Sequence, residues 1–257
     1  METVRKHVFA DMLVMLGRSM RHIIRSMDTI ITVTITPIAM MLLFTYVLGG
    51  AIQAGTGNYV NYILPGVLLM AIASGIAYTA YRLFMDMQRG IFERFHSMPI
   101  ARSAALWGHV LTSLVSNAIS VTVIILVAFV MGFHPQAGVL QWLAVAAILG
   151  LFTLALTWIA VIAGISAKSV DGAGAFSYPL IFLPFISSAF VPTASMPPVV
   201  RAFAENQPVT AIVDTIRALL YGQPAGNGIW TALAWCVGIT LVAAFFAMRV
   251  YRKRATR

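Results

Sequence analysis

Four long stretches of this chain contain no Asp, Glu, Lys or Arg. They run for 53 residues between Asp28 and Arg82, 65 between Arg102 and Lys168, 29 between Asp171 and Arg201, and 31 between Arg217 and Arg249. A water-soluble domain could not spare so much sequence from charge. A bilayer core about 30 Å thick takes roughly 20 apolar residues per helical span, so the first two gaps each have room for two spans and the last two for one each. The expected architecture is all-α with six transmembrane helices. The Gly-rich turn at 49 to 58 divides the first gap and GFHPQAG at 132 to 138 divides the second. Spans are therefore predicted near 29–49, 60–82, 104–131, 140–165, 173–190 and 229–249, all within a single transmembrane domain of 257 residues.

Orientation follows from the distribution of Lys and Arg. Fifteen of the 17 cations fall in the N-terminal segment, the 82 to 102 loop, Lys168 and the C-terminal tail. Only Arg201 and Arg217 fall on the opposite side, so both termini are expected in the cytoplasm. The net charge of +9 is then explained by topology and anionic lipid headgroups, with no need of a nucleic-acid partner. The lone Cys236 offers neither a disulfide framework nor a thiol metal cluster.

Three segments outside the spans have their own patterns. In residues 4–27, Phe9, Met12, Leu13, Leu16, Met20, Ile23, Ile24 and Met27 recur at helical spacing, with Arg18, Arg21 and Arg25 on the other face. This predicts an amphipathic helix in the membrane interface. The loop RLFMDMQRGIFERFHSMPIARSA (82 to 104) mixes charged and apolar residues, which suits a short surface helix ended before Pro99. The stretch from 191 to 226 carries two short helices, 198 to 205 and 209 to 221, opened by prolines and stopped at Gly222. In the second, Val209, Ile212, Val213, Ile216, Leu219 and Leu220 form an apolar stripe. Asp214 and Arg217 stand three apart, where they can pair, and the segment is expected to fold back as a re-entrant hairpin.

The run YPLIFLPFISSAFVPTASMPPVVRAFAENQPVTAIVDTIRALLYG (178 to 222) closely resembles the signature region of type-2 ABC exporter permeases, the daunorubicin-resistance-like membrane subunits in particular. The resemblance is carried by Pro179, Leu180, Phe182, the Ser187 to Phe190 segment, Pro192, Met196 with Pro197, Gln207, Pro208, Val209, Asp214 and Arg217. ERFHSMPIARS (93 to 103) is similar to the family's coupling segment. Pro198, Val199 and Val200 depart from the pattern where a bulky aromatic often follows the Met-Pro pair.

The resemblance implies an ATP-driven exporter, and the absence of charge from the predicted spans favours an amphiphilic or lipophilic drug-like cargo, with a lipid-linked glycan or other lipid as the alternative. ATP and Mg would sit on partner ATPase subunits, two copies working with two permeases, a homodimer in preference to a heterodimer. ATPase contact is implied for Arg18, Arg21, Arg89, Glu93, Arg94, Phe95, Met98 and Pro99. The substrate path would include Thr32, Thr36, Tyr178, Phe182, Phe185 and Ser188, and an external gate Pro192, Met196, Pro197, Pro208, Asp214 and Arg217.

The residues themselves argue the same way. A P-loop needs Gly-Lys, and none of Lys6, Lys168 and Lys253 follows a glycine, so this chain is expected to bind no cofactor and to catalyse no hydrolysis. An ion-coupled carrier needs ionisable residues inside its spans, and the predicted cores hold none, which makes secondary transport the distant alternative. The five histidines are too scattered for an intramembrane enzyme.

Overall fold

A computed structural model describes residues 27–49, 59–89 and 104–255. All of the expected amphipathic 4–27 stretch but Met27, and residues 90 to 103 of the 82 to 104 loop, with Arg18, Arg21, Glu93, Arg94, Phe95, Met98 and Pro99, lie outside the described residues. The regular elements among the described residues are all helical, without a strand: α1 Met27–Leu42, α2 Tyr59–Gln88, α3 Ala104–Val130, α4 Val139–Ser166, α5 Val170–Ala175, α6 Ser177–Phe182, α7 Pro198–Asn206, α8 Pro208–Leu220 and α9 Gly228–Ala255.

Among the described residues, four helices are long and apolar enough to cross a membrane, within α2, α3, α4 and α9. Two shorter apolar segments, Thr34–Leu48 and Val170–Ile186, occupy the places of the first and fifth predicted spans. The first widens into a π-helix over Leu43–Leu48, downstream of Pro37, whose missing N–H removes one rung of the ladder.

The fifth is broken, where the sequence predicts one continuous span from 173 to 190. It divides into α5, α6 and a 3₁₀ turn Leu183–Ile186, and then becomes extended at Ser187. Prolines explain the breaks. Pro179 cannot donate to the carbonyl of Ala175, where α5 ends, and Pro184 cannot donate to that of Leu180. The second span also differs, since helix continues past 82 to Gln88 and carries Arg82 and Asp86 with it.

The core forms around α2, which packs against α1, α3, α4 and the broken segment and is buried along most of its length. α9 lies against α4, its other face turned outward through Trp230, Leu241, Phe245 and Phe246. An outward apolar face needs lipid to cover it.

Two helices end in the same way, at Gly132 and Gly222. Each glycine has positive φ, and the Phe133 and Gln223 amides reach back to Ala128 and Ala218, which is the Schellman closure that a left-handed residue allows. The loop after Gly132 is fastened to the end of α8 by the Gln136 amide, which donates to the Leu220 carbonyl at 2.9 Å.

Candidate functional site: an unwound segment held by a hairpin

Non-helical backbone in a membrane-spanning segment is tolerated only where protein or a wet cavity satisfies its polar groups. The carbonyls between Ile186 and Phe190 therefore decide what must surround them. Four side chains from elsewhere take them. Gln207 Nε2 donates to the Ile186 carbonyl. Tyr62 Oη donates to Ser188 at 3.0 Å and Tyr59 Oη to Phe190 at 2.6 Å. Arg217 Nη2 reaches the Ser188 carbonyl at 2.7 Å and that of Ala189 at 3.4 Å.

Arg217 does more than this. Nε and Nη2 also donate to the Tyr62 carbonyl at 3.3 and 3.2 Å, and Nη1 donates to Asp214 Oδ1 at 2.7 Å. The guanidinium lies 3.9 Å from the centre of the Tyr62 ring, a distance at which the ring face attracts the cation. Ser188 Oγ donates to the same Asp214 oxygen at 2.6 Å. One arginine thus ties α8 to α2 and to the unwound segment together.

The hairpin is placed for this by its own pattern. The apolar stripe of α8 is buried against α2, α4 and α9, which turns Asp214 and Arg217 toward the unwound segment. The Arg217 side chain is 13% exposed and that of Asp214 53%. Pro198 and Pro208 each open a helix. Pro192, Met196 and Pro197 flank the 3₁₀ turn Thr193–Ser195 that leads into it. The second ion pair, Arg201 with Glu205 at 2.7 Å, is exposed. Its hydrogen bond holds the Glu205 carboxyl below the usual range, so whatever it contributes is present at neutral pH and is lost as pH falls through that lowered value.

This geometry sets an accessibility pattern. Single cysteines at Ser195 and Gln223, both exposed, should react quickly with a polar maleimide. A cysteine at Ile216, buried in the stripe, should not, and native Cys236 is itself buried. Equal rapid labelling at all three introduced sites would show the hairpin to be undocked.

Of the residues expected along a path, Thr32 and Thr36 fall in α1. Tyr178 and Phe182 are 63% and 61% exposed on the broken segment. Phe185 is half-buried and stacks on Phe190 with centroids 4.8 Å apart. Phe190 in turn stacks on Phe44 of the π-helical turn at 4.9 Å, so an aromatic ladder joins the first and fifth segments. Ser188 is buried in the arginine hub instead of on this face. Tyr59 and Tyr62 have no marked sequence signal beyond a polar tip in an apolar helix, whereas Gln207, between α7 and α8, is one of the residues that carry the resemblance. Arg89 is exposed at the C-terminal end of α2, where Asp86 Oδ2 also meets His109 Nε2 of α3 at 3.3 Å. Among the described residues no cluster of His, Cys, Asp and Glu could hold a metal ion.

Known proteins share this sequence plan. Residues 11–221 match the family profile described as ABC-2 type transporter. The chain is 29% identical over 232 residues to the daunorubicin resistance ABC transporter permease protein DrrB1 of Streptomyces coeruleorubidus, covering 88% of this chain and 80% of that protein. It is also 29% identical over 203 residues to the inner membrane transport permease YhhJ of Escherichia coli K12, covering 76% of this chain and 50% of that longer protein. The profile takes in the four-carbonyl cradle and the hairpin that builds it, and this integral membrane permease belongs to the ABC-2 type transporter family.

Proposed function

We propose that this permease exports an amphiphilic or lipophilic drug-like molecule, driven by ATP hydrolysis on separate cytoplasmic subunits. The observation that carries the reading is the exposed aromatic face of the broken segment, Tyr178 and Phe182 backed by the Phe185, Phe190 and Phe44 ladder. A helix interrupted by two prolines gives such a face a shape that a straight span lacks, and aromatic faces suit a flat apolar cargo. The resemblance of the chain to a daunorubicin resistance permease supports a cargo of this kind over a lipid-linked glycan.

Two permeases and two ATPases would make up the working assembly. The six spans of this reading count the two shorter apolar segments with the four long helices, and the excess of Lys and Arg on one side supports cytoplasmic termini. The hairpin and the 132 to 138 loop then face outward, with Asp214 and Arg217 at the exit. Arg18, Arg21, Arg89 and the 93 to 99 residues face the motor. Replacing Glu93 and Arg94 together with Ala is expected to abolish transport while membrane insertion stays normal. Unchanged transport with unchanged ATPase co-purification removes them from the coupling role.

The test of the function is uptake of a fluorescent amphiphile into inside-out vesicles containing permease and ATPase. Uptake should require ATP and survive a protonophore. Gradient-driven uptake by the permease alone would overturn the export reading, and ATP-dependent movement of a lipid-linked glycan with no amphiphile uptake would replace the cargo.

A further inference from the structure

One edge of α2 comes to the surface over its last turns. Thr79, Ala80, Leu83 and Phe84 stay buried there, while Tyr81 and Arg89 are exposed and Tyr78 and Arg82 half-buried. Helical periodicity puts positions 78, 81, 82 and 89 on the same side. At the helical rise, Arg82 stands roughly 30 Å along the axis from Tyr62 in the arginine hub, which is about the thickness of a bilayer core. The Arg82 edge therefore reaches the headgroup level opposite the hairpin. Just inside it the Tyr78 and Tyr81 rings meet edge to face with centroids 6.2 Å apart, at the depth where aromatic belts form.

Arg82 lacks what a cation at this boundary needs. Its Nε is buried and has no hydrogen-bond partner among the described residues. The two terminal nitrogens make no hydrogen bond there either, and unlike Nε they keep accessible surface. Asp86, one turn on, is near enough for its charge to be felt at Arg82, but its Oδ2 already meets His109 Nε2 at 3.3 Å. Arg89, exposed two turns on, adds a second positive charge to the same edge. A guanidinium packed against protein on one side and open at its fork is set for an oxyanion that offers two acceptor oxygens. Partial burial strengthens that attraction above its value in water.

We propose that the Arg82 fork holds the phosphodiester of an anionic phospholipid, which Arg89 helps draw to this edge of α2. Depth favours a lipid over a soluble phosphate, because the fork lies where lipid phosphates lie. Tyr81 beside it offers an apolar surface to the start of the acyl chains. Placing the lipid in the cytoplasmic leaflet rests on the proposed orientation, whereas the site itself needs neither ATP nor cargo.

The test uses the full-length chain in phosphatidylcholine liposomes that carry a trace of one of two photoactivatable lipids, phosphatidylglycerol or phosphatidylcholine with the same diazirine-bearing acyl chain. Both leaflets contain the probe, so the result depends on neither orientation nor transport. Labelling mapped to residues 78–89 should be about fivefold higher with phosphatidylglycerol, the fold-change equivalent to about 1 kcal/mol for a basic residue near anionic lipid. Arg82→Gln should cut that ratio to below about twofold while phosphatidylcholine labelling persists. Arg82→Lys, which keeps the charge and loses the fork, should leave it in between. Arg249→Gln, an equal loss of charge at an exposed position of α9, should leave it unaltered. Equal labelling of the wild-type chain by the two lipids, a ratio that survives Arg82→Gln, or an equal fall in Arg249→Gln would each overturn the proposal. So would suppression of the labelling by inorganic phosphate at constant ionic strength, which would assign the fork to a soluble anion, or the absence of labelling by either lipid, the result of a second permease copy seated on this edge.

Discussion

Arg217→Ala should be the most damaging single substitution among the described residues, lowering the unfolding midpoint in mild detergent far more than any change at Asp214. A lone interhelical hydrogen bond in a membrane protein averages only about 0.6 kcal/mol, which would make any one of these contacts dispensable. Arg217 is different because it serves three carbonyls and a carboxylate at once. Its removal leaves acceptors at membrane depth that cost about 1–3 kcal/mol each when unpaired, and it leaves Asp214 without its cation. Tyr62 still serves the Ser188 carbonyl, so we expect a loss of about 3 kcal/mol, not the full sum. Arg217→Lys should recover only part, because a single ammonium cannot present the guanidinium fork. Asp214→Ala should be milder, since it removes one bond each of Arg217 and Ser188 and leaves the carbonyl bonds of the guanidinium in place. Comparable midpoints for Arg217→Ala and Asp214→Ala would show that the unwound segment does not depend on the arginine.

Much of this architecture is legible in the sequence because a membrane imposes one rule on every residue. Helices α2, α3, α4 and α9 each rise within a charge gap, although α2 continues to Gln88 and α9 to Ala255, past the expected ends at 82 and 249, and the prolines at 198 and 208 and the glycine at 222 set the limits of α7 and α8. The stripe from Val209 to Leu220 correctly marks which side of α8 is buried. It is less informative about what lies opposite, and the stripe turns out to meet three helices of the permease itself.

The unwinding of the fifth segment was harder to foresee. Pro179 and Pro184 announce weak points, yet a proline in a span is tolerated when other groups take the freed carbonyls. The groups that take the carbonyls after Pro184 come from Gln207 and Arg217, 21 to 29 positions away, and from Tyr62 and Tyr59, 126 and 131 positions away, and helical periodicity does not report such pairings. The i to i+3 spacing revealed Asp214 with Arg217 and missed the remaining contacts of the same guanidinium. It also gave no reason to separate Ser188 from the exposed Tyr178 and Phe182.

The hub also fixes which parts can move together. Tyr59, Tyr62 and Arg217 bind the unwound segment to both α2 and α8, so a displacement of α2 by a motor acting at its Arg89 end would carry the hairpin with it. Close packing reinforces this at Gly66 of α2, where an added Cβ would stand 2.5 Å from Ala189 Cβ, 3.3 Å from its Cα and 3.5 Å from its carbonyl carbon. Gly66→Ala should therefore force α2 and the unwound segment apart, although Ala is the better helix former by about 1 kcal/mol. Overpacking typically costs about 1–3 kcal/mol, and here the strain falls on the carbonyls that Tyr62 and Arg217 must reach. We expect a lower midpoint and a loss of transport. The compensating change is Ala189→Gly, which removes the nearest clashing atom and leaves the added methyl at ordinary contact or slightly tighter. The double variant should regain most of both properties, with the residual deficit set by the Cα at 3.3 Å and the freer backbone of a glycine in the unwound turn. If Gly66→Ala alone keeps wild-type stability and transport, or if Ala189→Gly fails to rescue it, the close contact is not what couples α2 to the unwound segment.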